Sequence, residues 1–378
     1  MTNVDLLYEL IERGREGKNI GLNTGIKKID KFTGGIQRGN YTLIFGLSGS
    51  GKSAWVLYNN IYRPLKDNPD KDIKIIYFSL EMSSDTLLAK LLSLYIYEEF
   101  GHIISYQKLM SWSEVLDDES YEYAMKGKTW LDSISSKLLI YDESLTSKSF
   151  YRIMMENLEE WGTFSKSPDG RRRIYTKNNE EQWVWVVIDH IGLCSPSPGS
   201  TKKEAIDDIS HMSVSFRETC KVSFYVLMQQ NRAASNMDRR KAELTELSDE
   251  DIKDSGDPYN DCLVCIGIYH PLKYKIKTHK GFPIIIENDN PAPEDFIGLR
   301  DTYRAAQLIK NRFGQSDKVV PVSFFGEIGY WKELPKASEI KDFRKYLSLN
   351  TALQEEEEDD STVDNLTGEI QKPLTFSF

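Results

Sequence analysis

The sequence predicts an α/β domain built on a central, largely parallel sheet flanked by helices, and three observations predict it. A short β-prone run, Tyr41 to Phe45, leads into the glycine-rich segment Gly46 to Ser53, GLSGSGKS, and then into a helix-like stretch, Ser53 to Tyr58. Further strand candidates, several of them apolar at every position, alternate with helix candidates, as in a sheet covered on both faces. Three of those strands run out into polar side chains, Glu81, Asp189 and Gln229, at the sheet edge where such folds bind ligands.

Taken in order, Val4 to Arg13 has apolar residues at helical spacing and stops at Gly14, which makes residues 1–19 a short docking helix with its link. Thr24 to Asp30 and Thr33 to Gly39 lead into the first strand. The second strand is Ile73 to Ser79, followed by a long apolar helix, Leu87 to Phe100. Lys137 to Tyr141 is a strand, Phe150 to Trp161 a helix, and the polar stretch 166–182, with Arg171 to Arg173, a surface insertion. Trp183 to Ile188 is an unbroken apolar strand that ends in Asp189. Ala205 to Thr219 is helical, and Val222 to Met228 is the strand ending in Gln229. Further strands are expected at Cys262 to Ile268, Ala305 to Ile309 and Val319 to Phe325, with a second insertion at 269–299. Residues 20–350 thus form one domain, and 351–378 an acidic, disordered tail.

Composition bounds the function. The chain has 378 residues, 40% hydrophobic and 28% charged, with a net charge of −10. From Gln354 onward eight acids stand against Lys372 alone, a balance of −7, so the rest carries only about −3 and is no obstacle to nucleic-acid binding. No apolar run reaches the length of a membrane span and Met1 to Arg15 lacks a signal-peptide layout, so a cytoplasmic protein without a membrane partner is expected. Of the four cysteines, Cys262 and Cys265 share a strand-like run without a second pair, which reads as core thiols rather than a zinc or redox site.

The glycine-rich segment fits the phosphate-binding pattern G-x-x-x-x-G-K-[ST]. Its backbone amides, with Gly46, Ser48, Gly49, Ser50, Gly51, Lys52 and Ser53, are expected to cradle the phosphates of ATP. Lys52 would reach the β- and γ-phosphates, and the Ser53 hydroxyl would hold Mg²⁺. Hydrolysis needs in addition an acid for the metal and a group that activates water. Asp189 suits the first, Glu81 the second, and the Gln229 amide suits contact with the γ-phosphate.

Together T-G-I-x-x-I-D-x-x-T-G-G-I-Q-x-G (Thr24 to Gly39), GLSGSGKS, FSLEMS, VVIDHIGL, MQQNR and IKNR resemble the core of DnaB-type replicative helicases, a RecA-like ATPase, over about Thr24 to Leu334. The resemblance implies Glu81 as catalytic glutamate, Asp189 as metal-associated aspartate and Gln229 as γ-phosphate sensor. Lys310 and Arg312 match a K-x-R element whose arginine acts as a finger on a neighbouring subunit's nucleotide. It thereby implies a homo-oligomer, a hexameric ring, that moves 5′ to 3′ on single-stranded DNA and opens a duplex. The family's DNA-holding loops correspond to Ser195 to Glu204, with Lys202 and Lys203, and to Arg232 to Lys241, with Arg232, Arg239, Arg240 and Lys241. Their charge without aromatic residues points to phosphate contact rather than base stacking. Family members usually carry an N-terminal domain that recruits primase; one short helix stands before the core here, so that route to primase is not expected. His190 stands where the family often has tyrosine. The tail, ending Leu374 to Phe378, is expected to hold a polymerase, primase or single-strand-binding protein, or equally to shield the DNA loops of its own ring. A filament-forming recombinase shares the phosphate loop, and so does a circadian-clock-type regulatory ATPase, which also has Thr-Gly-Gly before it.

Overall fold

Strands this apolar have to be covered on both faces, and in the computed structural model of the chain they are. It describes residues 3–112, 114–231, 246–252, 256–288 and 295–349. The basic segment Arg232 to Lys241 and the acidic tail lie outside these residues.

Nine strands form one sheet. In chain order they are β1 (Tyr41–Gly46), β2 (Ile73–Ser79), β3 (Leu138–Tyr141), β6 (Trp183–Asp189), β7 (Ser223–Gln229), β8 (Val264–Tyr269), β11 (Tyr303–Asn311), β12 (Lys318–Phe325) and β13 (Tyr330–Glu333). Their order is β13-β12-β11-β8-β1-β7-β6-β2-β3. From β3 to β8 every pairing is parallel, and from β8 to β13 every pairing is antiparallel. The expected largely parallel sheet is therefore present, with an antiparallel extension. Two hairpins stand outside it: β4 (Gly162–Lys166) with β5 (Arg173–Lys177), and β9 (Thr278–His279) with β10 (Phe282–Pro283). The polar stretch 166–182 thus contributes a strand to a hairpin.

Alternate strand side chains feed two cores, as the period of two requires. Ile44, Ile75, Trp185 and Leu227 face the side covered by α2 (Lys27–Thr33), α3 (Lys52–Val56) and the helices that follow it. Leu43, Phe45, Val186 and Val226 face α8 (Ser147–Trp161) and α9 (Lys202–Cys220). The helix opened by α3 widens at Leu57–Tyr62 into π geometry and returns to α form as α4 (Arg63–Asp67), with Pro64 at its start. Two of its polar contacts are buried: the Asn59 side chain donates to the Trp55 carbonyl at 2.9 Å, and the Asn60 backbone carbonyl accepts from the Trp185 indole at 3.0 Å.

Two long helices cover the β2 side. The first, α5 (Ser84–Phe100), is capped by the Ser83 hydroxyl, so it starts earlier than its apolar pattern does. A single turn, α6 (Tyr106–Leu109), capped by Ser105, leads on from it. The other long helix is α7 (Asp118–Ile134), which the sequence reading did not foresee; Trp130 stacks on Tyr95 of α5 at 4.7 Å. At the other end of the chain order, α1 (Asn3–Arg15) leaves Val4, Leu7, Tyr8 and Ile11 exposed. That is one stripe of the helix, and nothing in the described chain covers it. No described helix is long and apolar enough to cross a membrane.

Trp331, in β13, is fully buried between Trp55 (T-shaped, 5.1 Å) and Phe324 (stacked, 4.3 Å). Trp331→Ala should therefore lower the unfolding free energy by about 3–5 kcal/mol, read as an earlier urea midpoint. A midpoint equal to that of the parent chain would show that this wall of the core is dispensable.

Candidate nucleotide-binding site

The segment Gly46 to Ser53 turns from the end of β1 into α3, and two glycines show why it must be glycine-rich. A Cβ on Gly46 would lie 2.6 Å from the Ile268 carbonyl oxygen. Gly51 has φ +101°, and a Cβ there would lie 2.7 Å from the Trp331 ring. Backbone this close to its walls tolerates no side chain.

Lys52 is buried and donates to the carbonyls of Gly46 and Leu47, each at 3.0 Å. Burial pushes its pKa from 10.5 down to about 8, while Asp189 and Glu81 pull it up and Lys273 pushes it further down. Asp189 ends β6 and is 1% exposed. Its carboxylate accepts from Tyr77 at 2.8 Å and is also hydrogen-bonded by Ser53. Burial raises its pKa, and these two hydrogen bonds oppose the rise. Register explains the placement: Ser79 of β2 lies beside Asp189, and the Leu80 amide donates to the Asp189 carbonyl at 2.8 Å. Glu81 follows in the turn before α5, exposed, near enough to act on the charges of Lys52 and Asp189.

Gln229 ends β7 beside Gly46 and has its amide nitrogen 3.2 Å from His190 Nε2. The fold thus brings Gly46 to Ser53, Glu81, Asp189 and Gln229 to one end of the parallel strands. A hydroxyl and a carboxylate already in contact, Ser53 and Asp189, are hard oxygen donors that fit Mg²⁺, an ion usually held by one or two carboxylates and by phosphate oxygens. Among the described residues no group of three or more His, Cys, Asp and Glu could hold a metal, so an ion here would draw its remaining ligands from phosphate or water.

Other expected residues lie elsewhere. Lys310 donates to the carbonyls of Tyr259 (2.6 Å) and Asn260 (3.1 Å). Arg312 follows β11 and is exposed. Because β11 runs antiparallel, Asn311 pairs with Val264 at the start of β8, while the phosphate loop leaves from the opposite end. Arg312 is thus roughly five strand residues, about 15 Å, from the start of its own loop. Lys202 and Lys203 occupy the first turn of α9 rather than a loop, because Thr201 and Glu204 form a capping box; Lys203 pairs with Asp207 at 2.7 Å.

Three contributors were missed. One is Tyr77, on Asp189. Another is Arg304, a buried guanidinium that donates to the Ser50 carbonyl at 3.1 Å and to the Tyr303 carbonyl at 2.9 Å; burial lowers its pKa to about 10. A signal existed, since a charge inside the apolar run Tyr303 to Ile309 must find buried partners. The third is Lys273, whose ammonium donates to the Ser48 carbonyl.

The family model "DnaB-like helicase C terminal domain" matches residues 21–332. The replicative DNA helicase DnaB of Helicobacter pylori is 25% identical over 273 residues, 71% of this chain and 48% of the relative. That of Geobacillus stearothermophilus is 22% identical over 318 residues, covering 83% and 61%. The chain spans about half the length of the Helicobacter relatives. Among solved structures, an isolated ATPase domain superposes with a TM-score of 0.65 at 18% identity, covering 89% of this chain and 100% of that one. A DnaB-like replicative helicase, described with its interactions with primase, superposes with a TM-score of 0.63 at 19% identity, covering 88% and 68%. The shared fold is the RecA-like P-loop ATPase fold.

Below pH 8 the folded chain bears the full cost of a buried Lys52 ammonium, up to about 3 kcal/mol. Between pH 8 and 10.5 the unfolded chain retains a proton that the folded one has lost, so this cost fades as pH rises. Lys52→Met should therefore stabilise the nucleotide-free protein by about 1–3 kcal/mol at pH 7 and by less at pH 10. Urea unfolding at both pH values measures it, and a variant no more stable than the parent at pH 7 would contradict it.

Proposed function

The chain belongs to the DnaB-like helicase C-terminal domain family, and from that premise we propose that it is an ATP-hydrolysing DNA helicase. It assembles with copies of itself into a ring, a hexamer, and moves along single-stranded DNA to open the duplex, 5′ to 3′ in keeping with the family. What supports this reading most is a division of the sheet. Lys52, Ser53, Glu81, Asp189 and Gln229 gather at one end, whereas Arg312 stands exposed at the other, beyond reach of its own loop.

In this reading Lys52 leaves its two carbonyls for the β- and γ-phosphates, and Ser53 and Asp189 would hold Mg²⁺, which would supply charge screening for the phosphates. Glu81, exposed beside them, orients and deprotonates water, and Gln229 passes the loss of the γ-phosphate to His190 and β7. Arg312, with Lys310 behind it, meets the nucleotide of the neighbouring copy, where a cation stabilises charge on the transferring group. The exposed stripe on α1 docks on a neighbouring copy. Lys202 and Lys203, with Arg232, Arg239, Arg240 and Lys241, contact DNA phosphates. The acidic tail holds a replication partner, a polymerase, a primase or a single-strand-binding protein.

ATP turnover should rise on addition of single-stranded DNA, and closed rings should appear by negative-stain microscopy with ATP and Mg²⁺. Long filaments would indicate a recombinase, and turnover indifferent to DNA a regulatory ATPase. Glu81→Gln should bind ATP and lose at least about 100-fold in turnover; near-normal turnover would remove it as the base. Arg312→Ala and Lys52→Ala should each be inactive alone and regain partial activity when mixed. Mixtures that stay inactive would place Arg312 outside the neighbour's site.

A further inference from the structure

The stretch 269–299, an insertion relative to the resemblance, returns to the phosphate loop. After β8 the chain makes a short 3₁₀ turn, Pro271–Tyr274. Tyr274 is locked to Gln230, directly after the expected sensor Gln229, by hydrogen bonds of 2.9 and 3.1 Å. This aims the exposed Lys273 across the loop: its ammonium donates to the Ser48 carbonyl and lies 2.8 Å from where a Gly49 Cβ would be. Two lysines therefore sit on three successive carbonyls, Lys52 on Gly46 and Leu47, and Lys273 on Ser48.

The surroundings of Lys273 leave it short of anions. Buried Arg304 stands beside it, and His270 is held neutral, its pKa pushed to about 3 by burial, Arg304 and Lys273. Among the described residues Lys273 forms no ion pair. Asp301 is the one acid that acts appreciably on it, and that carboxylate already pairs with Arg304 at 3.3 Å. The Lys273 pKa is lowered by burial and by Arg304, and the charge of Lys273 in turn helps to lower that of Lys52. An anion placed between the two ammonium groups relieves both.

We propose that Lys273 is a second phosphate-binding lysine, supplied by the same chain, that moves from the Ser48 carbonyl onto the γ-phosphate of bound ATP. This rests on the ATPase reading above. The exposed side chain is free to move, and the Tyr274–Gln230 lock keeps its base beside the strand end that carries Gln229. A charged hydrogen bond to the γ-phosphate discriminates ATP from ADP, since ADP lacks the group it holds.

The test compares the parent chain with Lys273→Met and Lys273→Arg, measuring affinity for fluorescent ATP and ADP analogues and steady-state turnover, after thermal melts confirm folding. The expected result for Lys273→Met is a loss of about tenfold in ATP affinity, less than about twofold in ADP affinity, and a lowered kcat, with Lys273→Arg restoring most of each. Equal losses for ATP and ADP, or no loss for either, would overturn the proposal and leave the ATPase reading standing. A parent chain that binds neither nucleotide would overturn both.

Discussion

Cations held on backbone carbonyls are the constraint around which this structure is arranged. Lys52, Lys273 and Arg304 all donate to carbonyls of one loop, at Gly46, Leu47, Ser48 and Ser50. A carbonyl satisfies a donor without cancelling its charge, so the loop keeps a positive field in a partly desolvated place. Such a field attracts an anion without first having to strip an ion pair from the loop. The two acids of the site, Asp189 and Glu81, moderate Lys52 without forming an ion pair with it. The antiparallel strands β11 to β13 then acquire a reason: they bring Arg304, Phe324 and Trp331 against the back of the loop, where a parallel sheet alone would leave it open.

Much of this was legible in the sequence. The strand, glycine-rich loop and helix start are local, and local chemistry reveals them. Asp189 was legible because an unbroken apolar strand ends in it, and Glu81 because it follows a strand next to a phosphate loop. What escaped depends on contacts between distant segments. Lys273 sits in a polar stretch with no pattern of its own, and its value lies in reaching Ser48. The four-residue strand β13 is too short for period-two alternation to announce it, and α7 carries Gly127 and a mostly polar surface that weaken its helical signature. Two misses had visible signals: Arg304 is a charge inside an apolar run, and Thr201 and Glu204 have the spacing of a capping box, so Lys202 and Lys203 belonged on a helix from the start.

The sheet also separates two chemistries by its own thickness in strand residues. Lys52, Ser53, Asp189 and Gln229 collect where the parallel strands end, and Lys310 to Arg312, at the end of β11, lie where they begin, because β11 reverses direction. An exposed arginine this far from its own loop is placed to meet another copy, and an α1 stripe left bare by its own fold is suited to the same company.

The walls of the loop arrive late in the chain. Arg304 follows Ser50 by 254 residues, and Trp331 comes later still. At about 5–20 residues per second, synthesis takes roughly 10–50 s to travel from the loop to the arginine that braces it. During that interval the loop has no back wall, and until β7 and β8 have been made the strand that leads into it has neither of its neighbours. The shape of the loop therefore depends on the last strands of the domain, and its walls are complete only once they have docked.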